Sequence, residues 1–179
     1  PWLTSEGSKT LETRYRRKFT FGEIEVNGAV TDDNLTADSL RGYVFADGKF
    51  DLPLGFSGRF DIEAVSDPGY LLLYGYSDKD RLDSAISIDR IGRDEAFTSD
   101  LTHIRSLRDD EDNRTLPTVI GELNYEKRFT PRGLGGIATF RAETLGYYRR
   151  ADEDLTLSGL ARDVLRVSAS ANWRKDWQL

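Results

Sequence analysis

Apolar and polar residues alternate along most of this chain, and segments with helical spacing are scarce. Leu11, Thr13 and Tyr15 interleave with Glu12, Arg14, Arg16 and Lys18, and Ile24, Val26, Gly28 and Val30 interleave with Glu23, Glu25 and Asn27. A period of two places one apolar and one polar face on each strand. The same reading predicts strands over 40–52, 54–65, 81–91, 95–104, 117–129, 136–149 and 164–178, about nine in all with the first two. The connections alternate as well. Short ones fall at Phe19–Gly22, Leu52–Leu54, Ile91–Asp94 and Thr130–Gly135, and long ones at Asp32–Ser39, Ser66–Asp80, Arg105–Leu116 and Arg150–Asp163. That rhythm, with strands long enough for a tilted bilayer crossing, predicts an all-β, antiparallel up-and-down meander forming part of a large transmembrane β-barrel. A closed bacterial barrel normally has an even number of strands, so an odd count predicts a partial segment.

Register can be read from polarity. A four-residue loop at Phe19–Gly22 sets Lys18 against Glu23, Arg16 against Glu25 and Arg14 against Asn27, while Tyr15 meets Val26 and Leu11 meets Val30. A three-residue turn at Leu52–Leu54 sets Phe50 against Phe56, Gly48 against Gly58, Ala46 against Phe60, Val44 against Ile62 and Asp47 against Arg59. Two rows follow. The polar row, expected to face a wet lumen, is Arg14, Arg16, Lys18, Glu23, Glu25, Asp47, Arg59, Asp61 and Glu63. The apolar row, expected to face lipid, is Tyr15, Val26, Val30, Val44, Phe50, Phe56, Phe60 and Ile62. Arg17 breaks the pattern: it sits on the apolar row and has to snorkel near the periplasmic edge. Phe19, Phe21, Tyr147, Tyr148, Trp173 and Trp177 cluster near strand ends, where interfacial girdles form.

Composition narrows the function classes. The 179 residues carry a net charge of −6, which disfavours nucleic acid as a partner. Cysteine is absent, so disulfides, thiolate metal sites and cysteine nucleophiles are excluded. No apolar run reaches the roughly 18 residues of a membrane helix. His103 is the only histidine, which leaves no catalytic triad with a spare partner and no histidine-rich metal site. Asp61 and Glu63 are two members of one wet face, and the run Asp109–Asp110–Glu111–Asp112 lacks the ligand spacing of a calcium loop. The sequence therefore predicts no enzyme, no cofactor and no metal. Proline at position 1, with no charged-then-apolar leader after it, reads as a segment of a longer chain.

Several stretches resemble one family. They are Pro1-Trp2-Leu3-Thr4-Ser5-Glu6-Gly7, the aromatic and arginine-rich Leu11–Phe19, Gly22–Gly28, Ser66-Asp67-Pro68-Gly69-Tyr70-Leu71 with Tyr74, then Asp80-Arg81-Leu82-Asp83-Ser84, Leu116-Pro117-Thr118, and Trp173. They resemble the barrel of the lipopolysaccharide-assembly outer-membrane proteins, in the alphaproteobacterial form. The resemblance implies residence in the outer membrane and transfer of lipopolysaccharide from a periplasmic bridge protein, LptA, into the outer leaflet. It implies contact with outer-membrane lipids and with a plug lipoprotein, LptE. The family also has a periplasmic jellyroll and a lateral opening between the first and last strands, neither of which falls in this segment, and its best-studied members carry disulfides that a chain without cysteine cannot display. Two other readings stay open on the residues alone: a different outer-membrane barrel, porin or TonB-dependent transporter, and a soluble β-sandwich binding module whose apolar rows would be covered by a second sheet.

Overall fold

The computed structural model describes residues 2–4, 7–34, 40–150 and 163–177. Ten strands form one antiparallel sheet in sequence order: β1 (Trp2–Thr4), β2 (Ser8–Phe19), β3 (Gly22–Asp33), β4 (Leu40–Leu52), β5 (Phe56–Val65), β6 (Arg81–Ile91), β7 (Glu95–Ser106), β8 (Val119–Phe129), β9 (Ile137–Tyr148) and β10 (Asp163–Arg174). β1 and β10 lie at opposite edges and do not pair, so the sheet is open. The fold class matches the sequence reading, but the strand count is ten rather than nine. The additional strand pairs Trp2 with Leu11 and Thr4 with Lys9. Three residues are too few to show a period of two, which is why alternation alone missed it. The middles of the Asp32–Ser39 and Arg150–Asp163 connections lie outside the described residues.

The first hairpin has the register that polarity dictates, with Lys18↔Glu23, Arg16↔Glu25, Arg14↔Asn27, Tyr15↔Val26 and Leu11↔Val30 all paired. Its turn is tighter than expected, because Phe19 already pairs with Gly22. The second hairpin is shifted by two residues from the expected register. Phe50 pairs with Gly58, Gly48 with Phe60, Ala46 with Ile62, Val44 with Ala64 and Asp47 with Asp61, while Arg59 faces Lys49. The turn moves to Pro53–Gly55, a single 3₁₀ turn in which Leu54 and Gly55 adopt φ of 63° and 77°.

Side-chain volume explains the shift better than charge does. In the observed register the Phe60 ring lies over Gly48, where an added Cβ would stand 2.4 Å from it. The expected register sets Gly48 against Gly58 and leaves that space empty. Covering a strand glycine with an aromatic ring stabilises the sheet more than one exposed ion pair, which contributes about 0–1 kcal/mol. The cost is two like-charge pairs on the polar face, Asp47 opposite Asp61 and Lys49 opposite Arg59. A two-residue shift conserves the face of every residue, so both rows survive it.

Among the described residues the sheet has no second layer. Only six apolar residues are buried among the described residues, whereas twenty-six large ones are exposed, including Tyr15, Val44, Ile86, Leu101, Leu165 and Trp173. Val26, Phe60 and Ile62 are half-buried by their neighbours in the sheet itself. A soluble sandwich would have the opposite ratio. A compact apolar cluster is built from Val65, Tyr70, Leu71, Leu82 and Leu107, at the end of the sheet where the long connections lie.

Candidate functional site: a two-faced wall with an inward-folded loop

Tracing the ladders across the sheet assigns every strand residue to a face. Arg14, Arg16 and Lys18 on β2 share a face with Glu23 and Glu25 on β3, Asp47 on β4, and Arg59, Asp61 and Glu63 on β5. The structure thus brings together all nine polar-row residues. On the opposite face, Tyr15, Val26, Val30, Val44, Phe50, Phe56, Phe60 and Ile62 likewise fall together. The same division continues through Ile86, Ile88, Leu101, Leu123, Phe140, Leu165 and Val167 on β6 to β10.

The polar face is largely self-neutralised. Glu25 accepts from both Arg14 and Arg16, with guanidinium–carboxylate distances of 2.6 and 2.5 Å, and Lys18 stands 3.5 Å from Glu23. Arg59 bonds Asp89 at 2.8 Å, and Glu126 binds Arg128 and Arg141 at 2.7 Å each. A shallow pocket of about 290 Å³ lies between Glu23, Asp47, Lys49, Arg59 and Asp61 on this face at the short-turn half. Among the described residues no group of histidine and carboxylate side chains is arranged to hold a metal. In the acidic run, Glu111 pairs with Arg108 and Asp112 with Arg114, an arrangement of solvated loop ion pairs. His103 is an exposed β7 strand residue on the apolar side.

Alternation marks Ser66–Asp80 only as a long connection, and the structure gives it a fold of its own. The segment folds back over the polar face through one helical turn, α1 (Tyr70–Leu73), and buries Tyr70 and Leu71 completely. The Tyr70 hydroxyl bonds that of Thr31 at 2.7 Å, and Thr31 in turn bonds Thr10 at 2.9 Å. Tyr74 donates to Asp33 at 2.5 Å and Tyr76 donates to Glu12 at 2.7 Å. Tyr43, Tyr70 and Tyr76 pack ring against ring, with Tyr43 and Tyr76 centroids 4.7 Å apart.

Arg41 fastens this loop to the sheet. Its side chain is 4 % exposed, and it grips Asp67 with two hydrogen bonds of 2.8 and 2.7 Å while reaching Asp33 at 3.3 Å. The fork geometry of the guanidinium suits a carboxylate at this depth, where an unpaired charge would be costly. Beside the loop, the β5–β6 ladder ends at Asp61↔Ala85. Beyond it the Glu63 carboxylate accepts from the Asp83 backbone N–H and pairs with Lys79, and the Ser84 hydroxyl accepts from the Glu63 N–H. Side chains there replace missing rungs.

The anchor is acid-sensitive, and the sign follows from its charges. The two hydrogen bonds from Arg41 hold the Asp67 carboxyl below its ordinary 3.8. A carboxylate with a depressed folded value stabilises the docked loop fully above its unfolded value and loses that contribution as pH falls through the folded one. Tyr74 is pushed up to about 12 by burial and by its bond to Asp33, so its proton is retained throughout. Near-ultraviolet circular dichroism from the tyrosine cluster is therefore expected to stay constant from about pH 7 to about pH 4 and to fall below that. A transition centred near pH 6 would contradict the Arg41–Asp67 anchor.

The family model described as LptD: LPS transport system D matches residues 39–179. This chain belongs to the LptD family. Membership makes it a component of lipopolysaccharide transport and assembly at the outer membrane, in a transport family rather than an enzyme family. No curated protein sequence matches it. The matched span covers β4 to β10, and with it the inward-folded loop, most of the apolar face and the polar face of seven strands. The residues that sequence reasoning missed are Asp33, Arg41 and Tyr76, and it gave Asp67, Tyr70 and Tyr74 no role. The available signal was tyrosine at i and i+4 with leucines between, a helical repeat inside a segment read only as a long connection.

Proposed function

We propose that residues 1–179 are one arc of the family's outer-membrane barrel, of the alphaproteobacterial type. In this reading the apolar face of β2 to β10 meets acyl chains, and the short turns face the periplasm. The polar face lines a wet lumen through which lipopolysaccharide received from the bridge protein LptA passes on its way to the outer leaflet, beside the plug lipoprotein LptE. The observation that carries the reading is the width of the charge-free apolar band. Every outward position of β9, from Ala138 to Tyr148, is uncharged, and among the described residues no second layer covers this face. The Arg14, Arg16 and Glu25 cluster and the pocket at Arg59 and Asp61 give the opposite face paired charges suited to a hydrated wall.

Photocrosslinking in cells tests it. A photoreactive residue at Arg59 or Asp61 of the full-length protein should form adducts with lipopolysaccharide or with the plug lipoprotein. The lipopolysaccharide adducts should disappear when supply from the periplasmic bridge is cut off. If neither partner is captured from any polar-row position, the lumen assignment is wrong.

A further inference from the structure

The apolar face carries charge only along its two edges among the described residues. At the long-connection edge Lys9 faces Asp32, Asp163 stands on β10, and Arg105 turns its guanidinium to the Val65 carbonyl. At the short-turn edge stand Arg17, Arg90, Glu95 and Lys127, three cations against one carboxylate. Each lies within two residues of the pair that closes its hairpin: Phe19↔Gly22, Ile91↔Ala96 or Phe129↔Ala138. Glu95 binds both Lys127, at 2.7 Å, and Arg90, at 3.3 Å.

Arg17 is different. Its ladder partner is Ile24, its neighbours along the face are Tyr15 and Phe19, and among the described residues it has no carboxylate partner. Its guanidinium lies over the Phe19 ring, 4.8 Å from the centroid. Phe19, Phe21 and Phe50 form a contiguous patch beside it, with centroids 5.7 to 6.2 Å apart. An exposed guanidinium braced on an aromatic platform, next to a hydrocarbon-facing surface, leaves its outer donors open for an oxyanion. The patch supplies what the rest of an amphiphile requires.

We propose that Arg17, with the Phe19–Phe21–Phe50 patch, is a binding site for the phosphate of a glycerophospholipid, its headgroup on the guanidinium and the start of its acyl chains on the phenyl rings. The excess of cations at the same height on β6 and β8 makes the whole short-turn edge a belt complementary to phospholipid phosphates. The assignment to a phospholipid rests on the reading that short turns face the periplasm, because the leaflet on that side is the phospholipid one.

The test uses the full-length protein with its plug partner, delipidated in an uncharged detergent, with bound lipid read by native mass spectrometry as phosphatidylglycerol is added. R17Q should weaken the tightest phosphatidylglycerol site about tenfold, the effect of one charge-assisted contact. R17K, which keeps the charge, should recover most of the loss. Diacylglycerol, which lacks the phosphate, should not be retained. Retention by R17Q equal to that of the unsubstituted protein, or equal retention of diacylglycerol, overturns the site. Orientation is read separately by labelling intact cells with an impermeant maleimide: S77C on a long connection should react and T20C in a short turn should not. Reaction at T20C would overturn the periplasmic placement, and with it the phospholipid source, whatever the mass spectra show.

Discussion

Substituting Ile86 with arginine is expected to remove most of the heat-resistant folded form of the full-length protein on a semi-native gel, whereas Ser87→Arg, one residue along, leaves it near the level of the unsubstituted protein. Ile86 sits at the middle of β6, is 47 % exposed, and has Phe60 and Leu101 as its ladder partners on β5 and β7. If the apolar face meets acyl chains as proposed, a guanidinium there meets hydrocarbon on the outside and apolar side chains on both flanks. On the lipid face of a barrel the penalty near the bilayer midplane is about 2–4 kcal/mol, which is a large part of a domain's net stability. Ser87 points the other way, with Arg59 and Asp100 as ladder partners, so an added cation finds one repulsive and one attractive neighbour in water. Equal loss in both variants would show that the two faces are not in different solvents.

The second large effect belongs to the loop anchor. Arg41→Leu leaves the Asp33 carboxylate, whose side chain is 0 % exposed, without its guanidinium neighbour and strips Asp67 of its two bonds to the sheet, leaving it the local bond from the Ser66 hydroxyl. Removing one partner of a buried ion pair costs about 3–5 kcal/mol because the remaining charge is still buried. The expected result is rapid tryptic cleavage of intact cells after Lys79 or Arg81, with heat-resistant barrel retained. Adding Asp33→Asn to Arg41→Leu removes the buried charge and should restore part of the protease resistance, a non-additive outcome that a purely steric role of Arg41 does not produce. If the single and double variants are cleaved at the same rate, the Arg41–Asp33 contact does not hold the loop.

Much of this architecture is legible from alternation alone, because a sheet with one polar and one apolar face has to write that difference into every second residue. Face assignment is robust for the same reason: the second hairpin slid by two residues and no side chain changed sides. What alternation cannot give is which residue stands opposite which, since even shifts are degenerate in polarity. There the packing of Phe60 on Gly48 outweighed the more obvious pairing of Asp47 with Arg59. The Ser66–Asp80 loop was opaque for another reason. Its buried polar groups are satisfied by partners far away in sequence, Tyr76 by Glu12 and Tyr74 by Asp33, and no local pattern encodes a contact of that range. Arg41 stands second in β4, and nothing in the strand's own alternation marks it as the residue that holds the loop.

The interruption between β5 and β6 has a mechanical consequence. Those strands share five rungs, against twelve between β2 and β3, and the groups left over are held by the Glu63 carboxylate and the Ser84 hydroxyl. Side chains can rotate without breaking covalent geometry, whereas a continuous backbone ladder shears as a unit. When the wall flexes, the deformation concentrates along this one line, as in a panel scored along a fold, and the five strands on either side move as stiff plates.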